Sequence, residues 1–143
     1  MKISLVVPCH NEEGNLAALY EECCLALREE PGAEWEMILV DDGSSDSTAE
    51  IARKLAREHE RIRAISLSRN FGKEAAMLAG LRLAAGNVTV ILDADLQHPP
   101  RLIPQMVERL QSTPDVHQVV ARRNRAGDSR RNALAARLYY RLV

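Results

Sequence analysis

The sequence predicts an α/β protein built on a mostly parallel sheet with helices on both faces, three-layered in the Rossmann-like manner. Three observations lead there. Apolar runs of four to six residues alternate with longer helical patterns along the chain. The runs are apolar rather than alternating, as in strands buried on both faces. Each run is followed by a helical pattern, which makes βα units. A length of 143 residues matches one domain on the usual scale of roughly 100–200 residues.

Ile3–Val7 is an apolar run of strand length. From Asn15 to about Glu29, Leu16, Leu19, Cys23, Ala26 and Leu27 recur on one helical face. Met37–Val40 is the second strand, after which Ser47 or Asp46 caps a helix running to about Glu60. Ile62–Leu67 is the third strand. Gly72–Ala85 follows as a helix, with Gly86 placed as its C-terminal cap. Val88–Leu92 is the fourth strand. Pro99-Pro100 opens a helix ending near Ser112, Val116–Val120 is a fifth strand, and the chain from Asn132 onward reads as helical. No internal repeat, low-complexity tract or linker interrupts this order.

Composition excludes several classes. With 46% apolar and 27% charged residues the chain is neither disordered, collagenous nor a disulfide scaffold. No window reaches the ~18 consecutive apolar residues of a spanning helix, and no signal-peptide pattern follows Met1. An aromatic content of 3% is too low for a base-stacking platform, so no nucleic-acid partner is expected. Cys9, Cys23 and Cys24 are odd in number and lack ligand spacing, which suits a reducing, cytoplasmic setting. The net charge of −1 hides an asymmetry: residues 118–143 carry seven arginines against Asp128 alone, a net +6, leaving −7 on the other 117. An acidic body with a basic end suggests a metal or nucleotide site in the first part and an anionic partner for the second, although a solvated arginine-rich helix has the same composition.

In open α/β sheets ligands bind beyond the carboxyl ends of the strands. The first strand ends in Pro8-Cys9-His10-Asn11-Glu12-Glu13, the second in Asp41-Asp42-Gly43-Ser44-Ser45, the fourth in Asp93-Ala94-Asp95-Leu96-Gln97-His98 and the fifth in arginines. Only the third lacks an immediate charged or polar ending. The first turn has neither the glycine pattern of dinucleotide folds nor a GxxxxGK[ST] loop. Asp93 and Asp95, spaced i, i+2 at a strand exit, can surround one hard cation with Gln97 as a neutral oxygen ligand, and Mg²⁺ or Mn²⁺ takes such ligands together with substrate phosphates. The same residues also suit a polar turn capping the helix at Pro99. Asp41-Asp42 suits an Asx turn, or equally acceptance of hydrogen bonds from a base ring or ribose.

At these residues the chain resembles family-2 glycosyltransferases of the GT-A fold, in the branch containing dolichyl-phosphate mannose synthase and bacterial undecaprenyl-phosphate sugar transferases. The matching blocks are Val6-Val7-Pro8-Cys9-His10-Asn11-Glu12-Glu13, Val40-Asp41-Asp42-Gly43-Ser44, Leu67 to Ala76 (LSRNFGKEAA) and Asp93-Ala94-Asp95-Leu96-Gln97-His98-Pro99-Pro100. The last is the most branch-specific.

The resemblance implies a UDP- or GDP-linked sugar donor, a polyprenyl phosphate acceptor, a divalent metal and an inverting transfer at the inner face of the membrane. Pro8, His10 and Glu12 would line the nucleoside pocket, with Val40 and Asp42 on base and ribose and Asp41 beside them. Asp93, Ala94 and Asp95 would meet ribose and diphosphate, and Asp93, Asp95 and Gln97 the metal. Arg122 matches a phosphate-contacting arginine, with Arg123 or Arg125 as alternatives. Arg125, Arg130 and Arg131 would face the acceptor phosphate or an anionic membrane surface, Arg130 and Arg131 at the start of a basic membrane-proximal helix from about residue 129. Lys73 reads as a solvated first-turn lysine, a phosphate contact being the alternative. His10 reads as a pocket wall rather than a general base, and His98 as packing or capping.

The chain departs from the family in carrying Arg101 where relatives have an acid, and in its length. The whole of 1–143 reads as one GT-A domain cut short at its C-terminal end. The catalytic residue is expected beyond residue 143, and the fragment alone is expected to be inactive. A non-catalytic nucleotide-binding or membrane-docking fragment, or a receiver-type phosphoacceptor domain, are the alternatives. A homo-oligomer is compatible with the sequence but not read from it.

Overall fold

The computed structural model describes residues 1–28 and 34–121. Its elements are β1 (Lys2–Cys9), α1 (Leu16–Leu27), β2 (Glu34–Asp41), α2 (Thr48–Glu58), β3 (Ile62–Ser66), α3 (Lys73–Leu83), β4 (Val88–Ile91), a 3₁₀ turn (Pro100–Leu102) and α4 (Ile103–Ser112). The four strands form one parallel sheet in the order β3-β2-β1-β4. All strand exits therefore lie at one end.

Alternate residues of the central strands divide the core. Ile3, Leu5, Val7 and Cys9 of β1 and Met37 and Leu39 of β2 join Leu16, Leu19 and Cys23 of α1, Ala52 of α2 and Ile103 of α4. On the other face Val6, Ile38 and Val40 pack against Ala76 of α3. Strands covered on both sides must be apolar at successive positions, which is why β1 and β2 were legible. The Asp46 carboxylate, not Ser47, caps α2, accepting from the Thr48 N–H at 3.0 Å.

Two assignments differ. Val116–Val120 joins no ladder among the described residues, and Val120 is 74% exposed. An apolar run becomes a strand only when a neighbour takes its N–H and C=O groups. Here residues 117–121 instead border a cavity of about 400 Å³ beside β4 and α4. Nor is Gly86 a helix cap. The chain leaves α3 at Ala84 in extended geometry, and Gly86 lies so close to β1 that a Cβ would come within 2.7 Å of the Ser4 nitrogen.

β2 begins three residues earlier than its apolar run because a buried Glu36 is compensated. Ser4 Oγ donates to Glu36 Oε1 at 2.7 Å and the Ala85 N–H at 2.9 Å, while Arg63 (3.0 Å) and Lys2 (3.4 Å) pair with Oε2. Burial pushes this carboxyl up, but the hydrogen bonds from Ser4 and Ala85 and the charges of Arg63 and Lys2 outweigh it and hold it below its ordinary 4.5. A depressed carboxylate stabilises fully above its unfolded value and less as pH falls through its folded value. Glu36→Gln is expected to cost about 1–3 kcal/mol at neutral pH and to flatten the loss of stability below pH 4.5. Urea midpoints across that range check both.

Candidate functional site

The strand exits surround a cavity of about 330 Å³, within the size range of small-ligand sites. β1 contributes Pro8, Cys9, His10 and Glu12 to its wall, β2 contributes Asp42, and the segment after β4 contributes Asp93, Ala94 and Asp95. The chain after β3 adds Asn70, Gly72 and Lys73. The third exit, read from sequence as lacking an immediate polar ending, thus joins the site. Its cavity-lining residues start four positions beyond the strand end, at Asn70, and the chain folds back over the sheet to deliver them.

Asp42 causes that fold-back. Its carboxylate is buried, with Oδ1 accepting from the Phe71 N–H at 2.8 Å and Oδ2 from the Gly72 N–H at 2.9 Å. Both oxygens hold the loop, so Asp42 shapes the cavity wall. Gly43, at φ 63°, lets the loop pass directly over β2's exit. A parallel set of bonds joins the first two exits: the Asn11 N–H donates to Ser44 Oγ (2.9 Å), the Ser45 N–H to Asn11 Oδ1 (2.9 Å) and the Glu12 N–H to Thr48 Oγ1 (2.7 Å).

His10 Nδ1 lies 2.9 Å from the Asp42 carbonyl oxygen. A carbonyl only accepts, so Nδ1 carries the proton and Nε2 is the acceptor, with Asn70 Nδ2 at 3.3 Å. A ring held on both nitrogens is a wall rather than a free base. The Glu12 carboxylate accepts from Asn15 Nδ2 at 2.7 Å.

Asp93 and Asp95 differ in their partners. Lys73 Nζ sits 2.5 Å from Asp93 Oδ1, and His98 Nδ1 lies 3.8 Å from Oδ2. Asp95 is exposed and Oδ1 accepts from the Gln97 N–H at 2.9 Å, an Asx-type turn through Leu96 at φ 59°. Lys73 is thus exposed, as its first-turn place predicts, and also pairs with Asp93 at the cavity wall. Helix periodicity places its stem at the first turn, but only the sheet order brings Asp93 within reach.

Of the residues singled out from sequence, Pro8, His10, Glu12, Asp42, Asp93, Ala94 and Asp95 line one hollow. Val40 and Asp41 do not. Val40 is sealed in the core against α3, and Asp41 is buried with Oδ1 accepting from the Ser44 N–H at 3.2 Å. Inward-facing strand residues cannot also face a cavity at the strand end. Gln97 does not line the hollow either. Among the described residues no group of three His, Cys, Asp or Glu side chains is arranged to hold a metal ion. Arg122, Arg123, Arg125, Arg130, Arg131 and the basic helix lie outside the described residues. Asn70, Cys9 and Gly72 were missed. The asparagine and glycine stand in the LSRNFGKEAA block, the one available signal.

The three cysteines are free. Burial, then the charges of Asp41 and Glu12, push the Cys9 thiol up to about 12, so it is a neutral wall group and not a nucleophile. No helix among the described residues is long and apolar enough to cross a membrane.

Comparison with known proteins agrees with this geometry. Residues 4–142 match the family described as Glycosyl transferase family 2. The undecaprenyl-phosphate 4-deoxy-4-formamido-L-arabinose transferase of Pectobacterium carotovorum is 48% identical over 107 residues, 74% of this chain and 32% of that protein. The enzyme of that name from Salmonella paratyphi B is 42% identical over 125 residues, covering 87% and 38%. The chain therefore spans 32% to 38% of these relatives' length. Among solved structures, the mannosyltransferase PcManGT of Pyrobaculum calidifontis, in complex with GDP-Man and Mn²⁺, superposes with a TM-score of 0.62 at 30% identity over 80% of this chain and 33% of that one. S. aureus TarS 1-349 in complex with UDP gives 0.62 at 26% identity, covering 78% and 32%. With the parallel sheet and one polar hollow at its carboxyl end, these matches show that the chain belongs to glycosyltransferase family 2 and has the GT-A type of fold.

Proposed function

We propose that the chain is the nucleotide-sugar-binding part of a glycosyltransferase that moves a sugar from a UDP- or GDP-linked donor to a polyprenyl phosphate at a membrane surface, with inversion. The observation that carries this reading is the convergence of His10 and Glu12, Asp42, and Asp93 and Asp95 from three strand exits on one hollow of about 330 Å³. Relatives named for transfer to undecaprenyl phosphate, and neighbours binding UDP or GDP-Man with Mn²⁺, favour it over a receiver domain or a purely docking module.

A divalent cation suits the donor chemistry. Asp93 and Asp95 offer hard carboxylate oxygens, and the Lys73 ammonium already sits in a cation position on Asp93. Gln97 belongs with these two carboxylates to the proposed ligand set, and its N–H also orients Asp95. When bound, Mg²⁺ or Mn²⁺ supplies charge stabilisation for a departing diphosphate. Pro8, His10 and Glu12 wall the nucleoside end, with Val40 and Asp41 as its buried backing. Asp93, Ala94 and Asp95 form the diphosphate end. Arg122 is assigned to donor phosphate, and Arg125, Arg130 and Arg131 to the acceptor phosphate or an anionic lipid surface, from their motif positions. In the reaction an oxygen of the lipid phosphate forms a bond to the anomeric carbon as the bond to the nucleoside diphosphate breaks, the electron pair leaving with the diphosphate. The protein's part is positioning and charge stabilisation.

Asp95→Ala is expected to reduce Mn²⁺-dependent binding of UDP or GDP by tenfold or more, on the order of 1.4 kcal/mol or above. Circular dichroism and the melting temperature should stay unchanged, because the side chain is exposed. Calorimetric titration with and without Mn²⁺ tests this, and an affinity equal to wild type removes Asp95 from the site.

A further inference from the structure

We propose that Lys73 is a built-in counter-cation: it keeps a divalent metal off Asp93 while the hollow is empty, and leaves Asp93 for the diphosphate when a nucleotide binds. The inference deepens the nucleotide-site reading and rests on it.

The geometry places Lys73 between two anchor points. Its backbone follows Gly72, whose N–H is held by Asp42 Oδ2 at 2.9 Å, so the base of the side chain is fixed on the β2 side. Its tip reaches the β4 side, 2.5 Å from Asp93 Oδ1. The side chain therefore spans the hollow, and it is the one Lys or Arg among the described residues of the wall. The other acids there have different partners. Asp42 is taken up by two backbone N–H groups, and Glu12 accepts from Asn15. The His10 ring is held in place, with Nδ1 on the Asp42 carbonyl and Nε2 beside Asn70 Nδ2. An anion entering the hollow thus meets a single mobile positive charge.

Two physical considerations make that charge movable. The pair is partly exposed, with side-chain exposures of 54% for Lys73 and 29% for Asp93, and such pairs are worth little net free energy. Lys73 is also the first residue of α3, where the helix dipole disfavours a cation and favours an anion. A diphosphate arriving near this helix start competes well with Asp93 for the ammonium. A metal ion arriving alone must displace the ammonium first, whereas one arriving with nucleotide need not. Lys73 therefore couples the two ligands, and by linkage the coupling is reciprocal.

The test titrates Mn²⁺ into the 143-residue chain, reading free aqueous Mn²⁺ by electron paramagnetic resonance, with and without saturating UDP or GDP. Lys73→Met is expected to bind Mn²⁺ alone about threefold to fivefold more tightly than wild type, the span of a partly exposed ion pair. With nucleotide the two proteins should bind Mn²⁺ equally, so the enhancement by nucleotide shrinks by that same factor in the variant. Lys73→Arg should keep wild-type behaviour. The melting temperature of Lys73→Met should not fall, because a first-turn cation opposes the helix dipole; a merely structural ion pair predicts a fall and no change in coupling. Equal Mn²⁺ affinity of wild type and Lys73→Met without nucleotide, while nucleotide still enhances binding in both, overturns the lysine proposal and leaves the site reading standing. Absence of Mn²⁺ binding to wild type even with nucleotide overturns both.

Discussion

Asp42→Asn is expected to lower unfolding free energy by about 2–4 kcal/mol and to abolish detectable nucleotide binding. The substitution keeps the shape and removes the function of the group. In the native protein both carboxylate oxygens accept from backbone, Oδ1 from Phe71 and Oδ2 from Gly72. An asparagine has one acceptor oxygen, so one of those N–H groups then faces an amide NH₂, donor against donor. Hydrogen bonds to a charged group contribute about 1.5–3 kcal/mol each, and leaving a partly buried donor unmet adds to the loss. The loop so released carries Asn70, Gly72 and Lys73, three residues of the cavity wall. Urea denaturation measures the stability change. Amide hydrogen exchange at Phe71 and Gly72 locates it: protection there that survives the substitution shows that the carboxylate does not hold the loop.

Gly43→Ala is expected to be at least as damaging, with a loss of about 3–5 kcal/mol, a large part of the stability of a typical domain. A Cβ at Gly43 would stand 2.3 Å from the Arg69 carbonyl carbon and 2.5 Å from the Asn70 nitrogen. Both are backbone atoms, in a segment tied down two residues later by Asp42, so no side chain can rotate away. The positive φ of 63° adds a smaller strain, since alanine tolerates the left-handed region at a cost of about 1–2 kcal/mol. Asp42 and Gly43 thus act as a unit, one pulling the loop down and the other leaving room for it. Their substitutions are not expected to add. A melting temperature within a few degrees of wild type would contradict the close approach.

The layered architecture was legible because its determinants are local. β1 and β2 are buried on both faces, and a strand in that position has no choice but successive apolar residues. The helices announced themselves by their period, and the placement of polar residues after the strands followed from the parallel order, which sends every exit to the same end. The motifs after β1, β2 and β4 were read correctly as neighbours for that reason: seven of the proposed binding residues line one cavity.

The misreadings share a cause. Gly86 has the sequence position of a helix cap, yet its smallness answers to Ser4, 82 residues away. Val116–Val120 has the composition of a strand, but no ladder takes it up among the described residues. The second strand reads as starting at Met37, whereas it begins at Glu34 because Lys2, Ser4 and Arg63 surround the buried Glu36. Lys73 reads as a solvated lysine and is exposed, but its pairing with Asp93 was not legible until β4 was placed.

The amino-acid order by itself determined the βα succession, the end of the sheet where chemistry is possible and the family to which the chain belongs, since all three rest on local pattern and motif. Only the tertiary structure decided what each charge does: that Asp42 grips a loop, that Asp41 is sealed under it, and that Lys73 neutralises Asp93. An ionised side chain takes its role from the opposite charge or donor nearest in space, and here those partners come from separate strand exits, 20 to 30 positions away along the chain.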